Sequence, residues 1–386
     1  MKIVHAGWFQ LGSVHGTHQA LWQLARAQVA AGHDVAILNV GWTIAPDDVA
    51  RAAADGVRLV GWACPMWRGF WRDEAGWLAR TLADLQPDVL HLQYVRIPRF
   101  AAIARVARRL GIPYVISLHG GLKPAEMHRH YARKMAYWHL VEGPLHRGAA
   151  GIHFVTQREQ DEYYRTLGRP KPADAVVANV VEPPAPLPRW KGQVDADTPQ
   201  FVSLGRYDIW HKGLDLAAAM VRALRQRGVA AQLHLHGAAV GRFEQAMDEL
   251  KREFADLPIA DHGVVSGPAK FAEMARYDFY LQYSRFELFG MAVMEAACAG
   301  VPLVLSENCD LAAPLAQAQA AIVIPMDPAR AAEVLADHLA RPRDIAAMAE
   351  RGRAWRAQHC SAAAVAGQMT AFYQAARTGA ASAARG

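Results

Sequence analysis

Phe201-Val-Ser-Leu-Gly-Arg-Tyr-Asp-Ile-Trp-His-Lys-Gly213 decides how the chain is read. A short apolar run stops at Gly205, a polar loop follows, and from Leu214 a helical pattern begins; this is one strand-loop-helix unit. The same rhythm fills the first part of the chain. Lys2–Ala6, Asp34–Val40, Asp88–Leu92, Pro113–Leu118 and Gly151–Val155 read as short buried parallel strands, with helical stretches such as His18–Ala31 between them and Gly32 as a stop. After residue 200 it starts again, through Phe201–Gly205, Ala231–His236, Ile259–Val265, Phe279–Tyr283 and Pro302–Ser306. Five prolines between Val181 and Gln200 exclude an ordinary helix or central strand there and predict an extended connector. The expected fold is α/β, with two doubly wound Rossmann-like domains facing a cleft. Its expected bounds are 1–185, a proline-rich linker 186–199, a second domain 200–355, a helix 356–378 returning to the first domain, and a frayed tail 379–386.

Composition agrees with two cores. The 386 residues are 52% hydrophobic and 20% charged, more than one core of ~250–300 residues accommodates. No apolar run reaches the roughly 18 residues of a membrane helix. Met-Lys-Ile-Val-His-Ala reads as a first strand and not as an export signal, so a cytoplasmic protein is expected. Cys64, Cys298, Cys309 and Cys360 are scattered without metal-ligand spacing and are expected to be reduced packing residues. The net charge of +6 is concentrated, for ten Lys and Arg face only Glu126 and Glu142 between His91 and Ala150. Such a block is either a solvated face or an attractor of phosphates or an anionic membrane.

In open parallel sheets ligands collect at the carboxyl ends of strands, and four of those junctions are unusual here. Gly12-Ser13-Val-His-Gly16 opens into a helix and lets backbone approach an anion, or is only a tight turn. His119-Gly-Gly puts an imidazole at a strand end. Gly205-Arg206 and Lys212-Gly213 bracket a loop that leads into a helix, and a guanidinium fork with an ammonium suits a diphosphate. Ser284-Arg-Phe-Glu287-Leu-Phe289-Gly290-Met291-Ala-Val-Met-Glu295 sets one carboxylate before a helix from Met291 to Ala299 and one within it, where Glu295 can accept from the two hydroxyls of a ribose. The acids Asp195 and Asp197 imitate a metal-binding pair, but they lie in the connector, away from every strand end.

Taken in order, these motifs resemble the retaining glycosyltransferases of family 4, also called glycosyl transferases group 1, which have the two-domain GT-B architecture. The resemblance covers nearly the whole chain, and Glu287-x7-Glu295 with Gly290, Gly300 and Pro302 is its most specific part. It implies a hexose moved from a nucleotide-diphosphate sugar, UDP- or GDP-linked, to an acceptor hydroxyl, with no metal and no further cofactor. Arg206 and Lys212 would hold the diphosphate beside Gly205. Glu295 would hold the ribose, and Glu287 with the Phe289-Gly290-Met291 backbone the donor sugar and its phosphate. His119 would approach the donor sugar, and Gly12, Ser13 and Gly16 would line the phosphate and acceptor side.

The implied catalytic set is therefore His119, Arg206, Lys212 and Glu287. The acceptor stays open among a cell-surface or lipopolysaccharide glycan, a lipid-linked glycan and a small metabolite; nucleic acid is not an expected partner. Aromatics among cations from Leu122 to Arg147 suit peripheral binding to an anionic membrane at its inner face, and equally suit a helix packed on its own domain. A sugar-nucleotide epimerase or hydrolase, or a non-catalytic nucleotide-binding module, would carry the same diphosphate residues.

Overall fold

The computed structural model describes residues 1–13, 15–41, 44–62, 76–124, 127, 130–239 and 241–383; Cys64, Glu126, His128 and Arg129 lie outside them. The chain divides into two compact units. One is Met1–Val180 with Ala362–Gly386, the other Val181–Ser361.

The first unit holds a seven-stranded parallel sheet: β1 (Lys2–Gly7), β2 (Asp34–Asn39), β3 (Val57–Gly61), β4 (Val89–Gln93), β5 (Tyr114–Ser117), β6 (Gly151–Phe154) and β7 (Ala175–Val176), in the order β3-β2-β1-β4-β5-β6-β7. The second holds β8 (Gln200–Leu204), β9 (Gln232–His236), β10 (Ile259–Asp261), β11 (Phe279–Gln282), β12 (Leu303–Ser306) and β13 (Ile322–Ile324), in the order β10-β9-β8-β11-β12-β13. Each sheet is thus a doubly wound Rossmann-like sheet flanked by helices. Winding reverses between β1 and β4 in one and between β8 and β11 in the other, and those reversals open the crevices where such sheets take ligands.

Near-continuous burial along β4 and β12 explains why these strands read as apolar runs instead of alternating ones. Three strands escape the sequence pattern. β7 and β13 have two and three residues, and β3 breaks its apolar run with Arg58. β10 stops at Asp261, four residues short of expectation.

The proline-rich stretch has no helix or strand, yet it is not a loose connector. Trp190 donates its backbone N–H to Ala299 O at 2.9 Å and its indole N–H to Tyr277 O at 3.0 Å. Buried Asp278 then takes the Lys191 ammonium at 2.8 Å and the N–H groups of Asp195 and Gln200. Asp195 also closes a turn on the N–H groups of Asp197 and Thr198, an ordinary turn role for its carboxylate.

Helix Pro342–Cys360 belongs to the second unit, and after Ser361 a separate helix, Ala362–Ala383, packs on the first. The expected single helix 356–378 therefore breaks at Ser361, and five residues of the expected tail are helical. The reason is a buried stripe of Val365, Ala366, Met369, Phe372, Tyr373 and Ala376, at helical spacing, against Ile3, Leu24, Val89, Val115 and Val180. Each large apolar side chain so buried contributes about 1.5–3 kcal/mol.

Candidate functional site

Both loops at the β8/β11 reversal are held rigidly. Asp208 caps the turn Ile209–Lys212 by accepting from His211 N–H at 3.2 Å, and Gly213 follows in the left-handed region at φ 62°. A Cβ on Gly213 would lie 2.1 Å from Tyr283 O, so only glycine lets this turn lie against the end of β11.

The second loop is stitched to the first. The His211 ring stacks on Phe286 at 4.0 Å and bonds Phe286 O through Nε2 at 2.9 Å. Arg285 donates its backbone N–H to His211 O at 3.0 Å and forks onto Asp215 at 2.9 and 2.6 Å. Burial and the adjacent Lys212 ammonium lower the His211 pKa, against the opposing pull of Glu287 and Asp208. His211 therefore acts as a neutral stacking clamp, not as a second cation.

That clamp brings the Lys212 ammonium 2.5 Å from Glu287 Oε2, both side chains more than four-fifths covered. Gln282 donates to the same oxygen at 3.3 Å and to Ser284 Oγ at 2.6 Å. Lys212 Cε also lies 3.8 Å from where a Cβ on Gly205 would be, so Gly205, Lys212 and Glu287 form one cluster. Gly290, at φ 63°, ends the loop and starts helix Met291–Ala299. Phe289 turns its side chain into the core, leaving backbone as what it and Gly290 offer a ligand.

Glu295 sits on that helix at 3% exposure and pairs with Lys270. A carboxylate so deep needs such a partner, and its other oxygen makes no hydrogen bond among the described residues. Tyr280 lies near both acids. Burial first, then Glu287 and Glu295, push its pKa well up. Cys309 rises to about 12 through burial and Glu287, so it is an inert thiol.

Arg206 is exposed, and its side chain makes no hydrogen bond or ion pair among the described residues. It is left available to a ligand. Sequence reasoning did not single out Lys270, Gln282, His211 or Arg285; only Arg285, which stands between Ser284 and Glu287, offered a signal.

In the first unit, Gly12 has φ 75° and Ser13 Oγ accepts from His15 N–H at 3.2 Å. Gly16 is not a loop residue, for it begins helix Gly16–Ala30. His119 follows β5 with φ 49°, a costly conformation for a non-glycine residue. Buried Glu159 secures it by accepting from Gly120 N–H at 2.5 Å and Val155 N–H at 2.8 Å.

The basic block is partly internal. Arg99 is buried, with its guanidinium bonded to Val40 O and over the Trp62 ring, and Lys123 is buried beside Glu162. Trp138 packs on His146 and Tyr163, so this aromatic serves its own domain. Among the described residues no helix is long and apolar enough to cross a membrane.

Residues 15–180 match the model of the glycosyl transferase 4-like domain, and residues 198–341 that of the glycosyl transferases group 1. The chain belongs to the group 1 glycosyltransferases. No curated protein matches the sequence. Among solved structures, this glycosyltransferase is similar to HepE from Anabaena in complex with UDP and glucose, at 15% identity and TM-score 0.72, covering 97% of this chain and 100% of that one. It is also similar to sucrose-phosphate synthase from Thermosynechococcus elongatus, at 17% identity and TM-score 0.73, covering 97% and 98%. A third is WaaG, a glycosyltransferase involved in lipopolysaccharide biosynthesis, at 14% identity and TM-score 0.60, covering 96% and 98%. These likenesses concern the fold, which is that of GT-B glycosyltransferases.

Proposed function

We propose that this glycosyltransferase moves a hexose from a UDP- or GDP-linked donor to a glycan, lipid-linked or small-molecule hydroxyl, with retention and without a metal. The observation that carries the reading is the Lys212 ammonium held against Glu287 at the carboxyl end of β11. The ammonium and the free Arg206 guanidinium receive the diphosphate, and the N-terminus of helix Met291–Ala299 adds its partial positive charge. Preorganised cations of this kind stabilise the charge that develops on a departing nucleoside diphosphate. Glu287 accepts from a donor-sugar hydroxyl once the phosphates draw the Lys212 ammonium towards them. Glu295, steadied by Lys270, takes the ribose hydroxyls on its other oxygen. The acceptor hydroxyl attacks on the face the nucleotide leaves, and a leaving phosphate oxygen takes its proton. That HepE is seen with UDP and glucose supports a nucleotide hexose as donor.

Thermal unfolding with UDP, GDP, ADP or dTDP, chelator present, tests the reading. One nucleotide at ~100 times its dissociation constant should add about 2.7 kcal/mol and raise the midpoint by several degrees. Absence of a shift with all four would refute the donor site. Full-rate donor breakdown without any acceptor would reassign the chain to a hydrolase.

We further propose cytoplasmic action with peripheral attachment to an anionic membrane through Tyr131 and Leu140, 59% and 76% exposed, beside exposed Arg133 and Arg147. Sedimentation with anionic vesicles at low salt should carry the protein down, and Leu140→Glu should weaken it. A protein that stays in the supernatant at low salt would end this part of the reading.

A further inference from the structure

The core of the first unit contains an unbroken line of polar side chains. His119 Nε2 meets Gln93 Oε1 at 2.8 Å, and Gln93 Nε2 meets His5 Nδ1 at 2.9 Å. His5 Nε2 meets Gln28 Oε1 at 2.7 Å, and Gln28 Nε2 meets the Tyr373 hydroxyl at 3.0 Å. From Tyr373 the line goes to His91 Nδ1 at 2.8 Å, and from His91 Nε2 to Ser117 Oγ at 2.6 Å. It ends through His153, whose Nδ1 lies 2.5 Å from Ser117 Oγ and whose Nε2 lies 2.8 Å from Val177 O. All members but His119 are at most 5% exposed.

The far end sets the direction of every bond. A carbonyl oxygen only accepts, so His153 carries its proton on Nε2 and accepts from Ser117 on Nδ1. Ser117 must then accept from His91 Nε2–H, which makes His91 Nδ1 an acceptor for the Tyr373 hydroxyl proton. Tyr373 oxygen accepts the Gln28 amide N–H, Gln28 Oε1 accepts from His5 Nε2–H, and His5 Nδ1 accepts from the Gln93 amide. Gln93 Oε1 is left for His119 Nε2–H. Eight bonds point one way, and reversing any one strands a buried donor or acceptor, at ~1–3 kcal/mol per group.

We propose that this relay, anchored at the Val177 carbonyl and passing through Tyr373 of the last helix, locks His119 as its Nε2–H tautomer and so presents Nδ1 as a hydrogen-bond acceptor for a sugar hydroxyl. Gln93, His5, Gln28, Tyr373, His91, Ser117 and His153 are positioning residues, acting through His119. Nδ1 makes no hydrogen bond among the described residues, and the strained backbone held by Glu159 fixes where it stands. Burial keeps the ring uncharged, its pKa lowered to about 3, as an acceptor requires. Only the identity of the hydroxyl's owner rests on the glycosyltransferase mechanism proposed above.

The test is ¹H–¹⁵N correlation of ¹⁵N-histidine-labelled whole protein, without substrate. Wild type should show His5, His91, His119 and His153 each as a single Nε2–H form at neutral pH. In Tyr373→Phe, His5 and His119 should lose that single-tautomer signature, while His153, on the anchored side, keeps it. If that variant does not fold, Ser117→Ala cuts the same relay with a smaller side-chain change, and His119 should again gain Nδ1–H signals. Wild-type His119 in the Nδ1–H form, or an unchanged Nε2–H form in the folded variant, overturns the proposal. Because no donor is present, that failure is distinct from failure to bind a nucleotide.

Discussion

Lys212→Ala lowers kcat/KM by about 100- to 1,000-fold, the loss expected when one preorganised charge at a transition state is removed. The effect should fall on turnover, because Lys212 meets the developing charge of the leaving diphosphate. Folding should change much less. The Lys212–Glu287 pair keeps 19% and 14% of its side-chain surface, so in the variant Glu287 can be reached by water and still has Gln282 Nε2 at 3.3 Å. The surrounding loops remain stitched by His211, Phe286, Arg285 and Asp215. Steady-state kinetics with the nucleotide sugar selected by the binding panel, beside a thermal unfolding curve of the same variant, check this. A variant with near-normal turnover would remove Lys212 from the catalytic machinery.

The second large effect is acid lability. Burial lowers the pKa of His5 and of His153 to about 4, and that of His91 well below its ordinary value. The charges acting on His91 are those of His5, His153 and His119, so protonating one opposes protonating the next. In the unfolded chain each titrates near 6.5. Above that pH both states are neutral and the stability is fully present. Below it the unfolded state binds protons that the folded state refuses, and stability falls until the folded pKa is reached. At pH 5, His5 and His153 should each cost about 2 kcal/mol relative to neutral pH, with a further loss from His91, against total stabilities of only ~5–15 kcal/mol. The unfolding midpoint should therefore drop steeply from pH 6.5 towards pH 4. A midpoint unchanged between pH 7 and pH 5 would show that these rings are not buried neutral.

Much of this was legible before any coordinates. Parallel strands buried on both faces are short apolar runs, and their spacing by helical stretches marks out two doubly wound sheets. Gly205, Gly213, Gly290 and Gly300 punctuate loops whose geometry depends on neighbouring residues, so the turns, and with them Arg206, Lys212, Glu287 and Glu295, could be singled out from local pattern. Helix Met291–Ala299 has the bounds its stop signals indicate.

Sequence alone determined ten of the thirteen described strands, the loops after them and the types of charged group at their ends, because those depend on neighbours along the chain, whereas β3, β7 and β13 are too short or too polar to show a local pattern. Tertiary structure decided which charges meet. Lys212 and Glu287 are 75 residues apart and Lys270 and Glu295 are 25, so no local spacing pairs them. Gln28 and Tyr373 are separated by 345 residues, and their bond exists only because the last helix packs on the first unit. Histidines within apolar strands look like isolated exceptions in the sequence. In the fold they become one directed relay, since a buried polar group without a partner is too costly to keep and each must find the next.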